Sequence, residues 1–80
     1  MPSTQDFENE IDKIFAQATI LGLCYAGIKS RDLHNKLGAN NEYPKCCNAM
    51  KNKKTGKDKI LETPPKGQGR DLTILYEIPR

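Results

Sequence analysis

Two short helical patterns joined by a polar turn, in residues 30–54, constrain the fold of this chain more than any other feature. The first reads SRDLHNKLG, with Ser30 as a candidate helix cap, Asp32 in the first turn and Gly38 as a left-handed stop. The second reads PKCCNAMKNKK and opens with Pro44, whose fixed φ suits the first helical position. Two short helices in tandem, the second rich in lysine, predict a helix-turn-helix.

A longer helix is predicted ahead of this pair. Apolar residues recur at three- and four-residue steps across residues 7–21, and Ser3 or Thr4 can cap the start of the helix. We expect this helix to pack across the two short ones. Ile20 and Leu23 fall off its apolar stripe. We expect both side chains to turn inward, and a surface for a protein partner is the alternative.

The C-terminal part is predicted to form an antiparallel hairpin. Residues 59–63 and 72–78 have strand-like composition, and the segment between them is rich in proline and glycine. A lone hairpin is marginally stable in water, so it must lean on the helices. The predicted fold class is α+β, a three-helix helix-turn-helix core with a C-terminal antiparallel β-hairpin, in one domain over residues 1–80. The predicted core draws on all of these segments: Phe7, Ile11, Phe15, Leu33, Leu37, Met50, Ile74 and Tyr76.

Charge is distributed unevenly along the chain. Residues 1–40 hold four Lys/Arg against five Asp/Glu, whereas residues 43–70 hold eight against two. An acidic first third and a basic middle are expected when one face of a protein meets a polyanion. We expect the acidic first helix to face away from that ligand. A solvated lysine-rich loop is the alternative interpretation.

The cysteines and the histidine do not form a recognisable metal or catalytic set. Adjacent cysteines point about 100° apart on a helix, so Cys46 and Cys47 would rarely reach one metal ion together. Nothing in the sequence supplies a third group to orient His34 against a cysteine nucleophile. Buried cysteine that packs as a small apolar residue is the better interpretation. We therefore expect no metal, no other cofactor and no enzymatic activity.

The N-terminus and the cysteine content indicate a cytoplasmic location. The N-terminus is acidic and lacks the basic region and the small-residue cleavage site of a secretory leader. No apolar run approaches the roughly 20 residues that span a bilayer, so no membrane partner is expected. Three cysteines cannot all pair, which fits a reducing compartment better than a disulfide framework.

The order of helix, short connector, helix, turn, helix and hairpin resembles a winged helix-turn-helix domain over residues 7–78. The segments YPKCCNAM and GQGRDLTILYEIPR are also similar to short uncharacterised bacterial or phage proteins. In many winged domains a connector such as residues 25–29 forms a brief strand. The resemblance implies a DNA-binding protein with residues 44–53 as recognition helix and residues 66–70 as wing tip. The turn at residues 39–42 is longer than in the compact form of this class.

The candidate DNA contacts lie on the second short helix and on the hairpin tip. Lys45, Asn48 and Asn52 are spaced to share one outward helical face. Asparagine can pair with adenine, and lysine can reach guanine or phosphate. The expected contacts to double-stranded DNA are Lys45, Asn48, Lys51, Asn52, Lys54, Lys66 and Arg70.

The predicted function is that of a small transcription regulator or of the DNA-reading component of a larger bacterial or phage machine. For the candidate DNA contacts, the alternative interpretations are an ordinary polar helix surface and a flexible hairpin turn. The alternative function is a protein-interaction adaptor on the same scaffold, which contacts a protein partner or a second copy through Ile20, Leu23 or the hairpin edge.

Overall fold

The computed structural model describes residues 1–79, which form three helices and one three-stranded antiparallel sheet. The elements in chain order are α1 (Thr4–Ile20), β1 (Tyr25–Lys29), α2 (Ser30–Lys36), α3 (Tyr43–Lys53), β2 (Lys59–Glu62) and β3 (Thr73–Glu77). The predicted α+β class, the three helices and the two C-terminal strands are confirmed. None of the helices in these 79 residues combines the length and the hydropathy that crossing a membrane requires.

Helix α1 begins at a capping box and ends at a glycine. The Ser3 hydroxyl accepts a hydrogen bond from the Asp6 amide at 3.1 Å, and the Ser3 amide donates to the Asp6 carboxylate at 2.8 Å. The pKa of the Asp6 carboxyl is below its ordinary value. The largest cause is the hydrogen bond from the Ser3 amide, and the next largest is that from the Ser3 hydroxyl. Gly22, with φ of 72°, turns the chain after the helix. The prediction of a cap at Ser3 is confirmed.

Helix α2 starts differently from the prediction and ends as predicted. Its N-cap is Lys29, which makes no side-chain capping bond, so the prediction of Ser30 as the cap is wrong. Ser30 is instead the first helical residue, because its amide extends the sheet by donating to the Leu72 carbonyl at 2.8 Å. The Ser30 hydroxyl donates to the Gly69 carbonyl. Gly38 follows the helix with φ of 62°, the left-handed stop that was predicted.

Helix α3 begins one residue earlier than predicted, at Tyr43, so Pro44 occupies the second helical position. Its inner side buries Cys46, Cys47, Ala49 and Met50. Both cysteines therefore lie in the core, as predicted.

The sheet has the order β1-β3-β2, with β3 in the centre. Tyr25–Lys29 pairs along its full length with β3, so the sheet has three strands and is not a C-terminal hairpin alone. This is the brief strand that the resemblance implied for the connector. Strand β2 pairs with the other edge of β3 and has an irregularity between Ile60 and Glu62. All four side chains of β2 are exposed.

The core lies between the helices and one face of the sheet. Its apolar residues are Phe7, Ile11, Phe15, Ala18, Ala26, Ile28, Leu33, Cys46, Cys47, Ala49, Met50, Leu72, Ile74, Tyr76 and Ile78. Of the predicted core only Leu37 is merely half-buried, because α2 has already ended there. Ile20 and Leu23 are 78% and 48% exposed, so the prediction that they turn inward is wrong. The turn at Gly22 leads from α1 to β1 over the surface and leaves both side chains outside the core.

Candidate nucleic-acid interface

The outer side of α3 is polar and accessible. Lys45, Asn48 and Lys51 are exposed, whereas the intervening Cys47 and Met50 are buried. At 100° per residue this alternation gives the helix one buried side and one open side. The structure therefore presents these three predicted contacts together on the surface.

The segment between β2 and β3 folds back onto this open side of α3. The Lys51 ammonium donates to the Gly67 carbonyl at 2.7 Å, and the Gln68 amide group donates to Asn48 Oδ1 at 3.5 Å. Deeper down, the Gly69 amide donates to Cys47 Sγ at 3.4 Å. The predicted wing tip is thus attached to the predicted recognition helix. We call the exposed set Asn48, Lys51, Lys66, Gln68 and Arg70 the α3–loop surface.

The same loop is also held by the start of α2. The Gly69 carbonyl accepts from the Ser30 hydroxyl and from the Cys47 thiol, the latter at 3.3 Å. The Arg31 amide donates to the Arg70 carbonyl at 3.2 Å. Gly69 has φ of 146°, and a Cβ there would lie 3.4 Å from Pro64, so a side chain would be strained. The backbone from which Arg70 projects is therefore fixed by both short helices.

Three other predicted contacts also bond within the protein. Lys45 forms an ion pair at 2.9 Å with Glu42, the buried N-cap residue of α3. Asn52 is exposed, but its side-chain amide donates to the Glu8 carboxylate at 3.2 Å. Asn52 is thus exposed one turn after Asn48 on α3, with its side-chain amide held towards α1. Lys54 is half-buried at the C-cap of α3, and its ammonium donates to the Thr55 carbonyl at 3.3 Å.

Two of the four acidic residues of α1 face α3. Asp12 pairs with Lys53 at 2.9 Å, and Glu8 accepts from Asn52. The expectation failed because α1 packs along α3 and brings its carboxylates to the end of that helix. The side of α3 that contacts α1 would therefore repel a polyanion. The opposite flank carries Lys51, Lys66 and Arg70, none of which forms an ion pair within residues 1–79.

His34 is a structural residue that sequence reasoning did not place. Its Nε2 accepts from the Glu42 amide at 3.0 Å, and its ring stacks on Tyr43 with centroids 4.0 Å apart. It therefore fixes the turn before α3. The only sequence signal was its position in the last turn of α2.

The described residues offer no metal-binding cluster. Within residues 1–79 no group of three or more His, Cys, Asp or Glu side chains is arranged to hold a metal ion. Burial raises the pKa of the Cys46 thiol to about 12. Because the thiolate is the reactive form, this cysteine is inert at neutral pH. The charged α3–loop surface is the better candidate for a functional site.

The sequence signals found part of this surface. The lysine pattern identified α3, and the Gly-Gln-Gly spacing indicated a tip that other groups can approach closely. The anchoring roles of Ser30 and Cys47 had no local signal, because their partners lie far away in the chain. Comparison of this chain with protein-family models, with curated proteins and with solved structures gives no match in any of the three.

Proposed function

We propose that this protein is a winged-helix DNA-binding protein that contacts duplex DNA through the α3–loop surface. It serves as a small transcription regulator or as the DNA-reading component of a larger assembly. The observation that carries the proposal is the attachment of the basic loop to the open side of α3, through Lys51 and Gln68. The order of the elements and the β1-β3-β2 sheet are compatible with the winged-helix arrangement.

The charge distribution supports phosphate as the ligand of this surface. Lys51, Lys66 and Arg70 have no acidic partner in the described chain, so their charge is available to an anion. The Lys51 ammonium donates to one carbonyl and retains donors for a phosphate. Such contacts would position the protein without reading the base sequence.

Two amide side chains are the candidates for base recognition. Asn48 and Gln68 approach each other at 3.5 Å, a long and weak hydrogen bond that a base edge can replace. Both residue types pair bidentately with adenine in the major groove. Asn48 is the stronger candidate, because it lies on a helix that the core holds in place.

The test is a salt titration of binding to mixed-sequence duplex DNA, followed by fluorescence anisotropy. The wild-type affinity should fall steeply with salt, and Lys66→Ala or Arg70→Ala should each reduce the logarithmic slope by about 0.9 if one phosphate contact is lost. Lys13→Ala is the matched control, since it removes one exposed charge from α1. Its salt slope should equal that of the wild type.

Two results would contradict the proposal. Absence of salt-dependent binding at about 50 mM salt, where phosphate contacts are strong, would leave the protein-interaction adaptor as the better function. An equal loss of slope in Lys13→Ala would show that binding follows net charge and does not use the α3–loop surface.

A further inference from the structure

The first strand of the sheet has an open edge. The Cys24 carbonyl accepts from the Ile78 amide at 2.8 Å, so even-numbered residues of this segment exchange hydrogen bonds with β3. In an antiparallel pair the intervening residues direct their backbone groups the other way. Tyr25, Gly27 and Lys29 therefore present backbone groups at the edge, and no other strand within residues 1–79 covers them.

Large apolar side chains surround this edge. Leu21 and Tyr25 are 62% and 56% exposed, next to the exposed Ile20 and Leu23. A groove of about 620 Å³ runs between α1 and β1, and its apolar lining comes from Ile14, Ala18, Leu21, Leu23, Tyr25 and Ala26. An open strand edge beside a contiguous apolar patch is a typical protein-interaction surface.

Gly27, in the middle of β1, is not required by the fold of its own chain. Its φ is not positive, and an added Cβ would meet only Leu75 Cδ1, at an ordinary 3.8 Å. Glycine inside a strand costs about 0.5–1 kcal/mol relative to alanine. A side chain can therefore be introduced at this position without strain in the monomer.

We propose that β1 pairs antiparallel with β1 of a second copy of this chain, about a two-fold axis at Gly27. In this register Tyr25 lies opposite the partner's Lys29, whose ammonium pairs with Glu62 of its own chain at 3.7 Å, so no like charges face each other across the axis. Each copy donates the amides of Gly27 and Lys29 across the axis. The Lys29 carbonyl is not used, because Lys29 is the N-cap of α2 and its carbonyl starts that helix.

Symmetry and charge favour a second copy as the occupant. A two-fold axis brings the same patch of both chains together, so the exposed apolar residues of one cover those of the other. The groove carries little net charge, since its Glu10 pairs with Lys36 at 3.0 Å and only Lys13 adds a further positive charge. Two copies would repel each other less at this edge than at the α3–loop surface, where Lys51, Lys66 and Arg70 lie. The proposal is independent of DNA binding.

The test is sedimentation velocity of the whole chain from micromolar to millimolar concentration, with two variants at Gly27. A side chain fits the monomer at this position, so both variants should fold. Gly27→Lys places like charges opposite each other at the axis and should weaken dimerisation by roughly tenfold or more. Gly27→Val places a β-branched pair there and should retain the dimer. Leu61→Asp, at a residue 59% exposed on β2, is the control for the other edge and should also retain it.

Hydrogen exchange provides a second measurement on the same samples. The amide hydrogens of Gly27 and Lys29 should exchange more slowly as the wild-type concentration rises. The exchange rates of the β2 amides should stay the same. A wild-type chain that stays monomeric at millimolar concentration would overturn the proposal. So would a dimer that Gly27→Lys leaves intact or that Leu61→Asp dissociates. A peptide or another protein that protects Gly27 in a monomeric chain would assign the edge to a different partner.

Discussion

Removal of one hydroxyl, in Tyr76→Phe, tests how the sheet supports the end of α3. The Tyr76 hydroxyl is fully buried and donates to the Met50 carbonyl at 2.7 Å. Met50 lies in the last turn of α3, where carbonyls run out of helical donors. The Lys54 amide, four residues on, donates to Lys51 instead, at 3.2 Å. The Tyr76 hydroxyl therefore donates to a carbonyl that receives no hydrogen bond from the helix itself.

The expected loss follows from this geometry. A buried acceptor left without its partner costs about 1–3 kcal/mol, more than the net value of an average hydrogen bond. For a domain of this size each kcal/mol lowers Tm by about 4–8 °C. We therefore expect Tyr76→Phe to lower the free energy of unfolding by about 1–3 kcal/mol, measured by urea denaturation and by thermal circular dichroism.

Tyr25→Phe is the matched control for this experiment. It removes the same hydroxyl from a ring that is 56% exposed, so the stability should change by no more than about 0.5 kcal/mol. Equal stabilities of the two variants would refute the reasoning. An unchanged Tm in Tyr76→Phe alone would show that the Met50 carbonyl finds another donor.

The other predictions concern the core, the titration of a buried thiol and base recognition. Phe15→Ala and Leu33→Ala should each lower the free energy of unfolding by about 2–5 kcal/mol in urea denaturation, because both side chains are buried. Burial raises the pKa of Cys46 from 9.0 to about 12, so stability is full below pH 9 and is lost as the pH rises towards 12. Denaturation at several alkaline pH values should show this loss, at up to about 1.4 kcal/mol per pH unit, and Cys46→Ala should remove that component. Asn48→Ala should relax discrimination at one base pair by roughly 1–3 kcal/mol, measured by competition among single-site DNA variants, and leave the salt slope unchanged.

Local signals predicted those elements whose hydrogen bonds are local. The Ser3 cap, the apolar periodicity of α1 and the stop at Gly38 all depend on residues a few positions apart. The prediction of Ser30 as a helix cap is wrong for the converse reason. A local cap was possible for its hydroxyl, but the hydroxyl donates instead to the Gly69 carbonyl, 39 residues away.

Only the residue types of the candidate site could be predicted from the sequence. The pattern of lysines and asparagines on α3 was visible, but the attachment of the loop depends on a pair 22 residues apart, Cys47 and Gly69. The direction of Asn52 depends on Glu8, 44 residues away, and on how α1 crosses α3. Helical spacing shows which residues share a face and does not show what covers that face.

The position of β3 at the centre of the sheet has a consequence for biosynthesis. The chain is made from its N-terminus, and domains generally fold as units during or after synthesis. Until residues 73–77 emerge from the ribosome, neither β1 nor β2 has its neighbour, and the Met50 carbonyl lacks the Tyr76 hydroxyl. Until then the nascent chain exposes two unpaired strands and the apolar side of its helices, a surface that is accessible to chaperones.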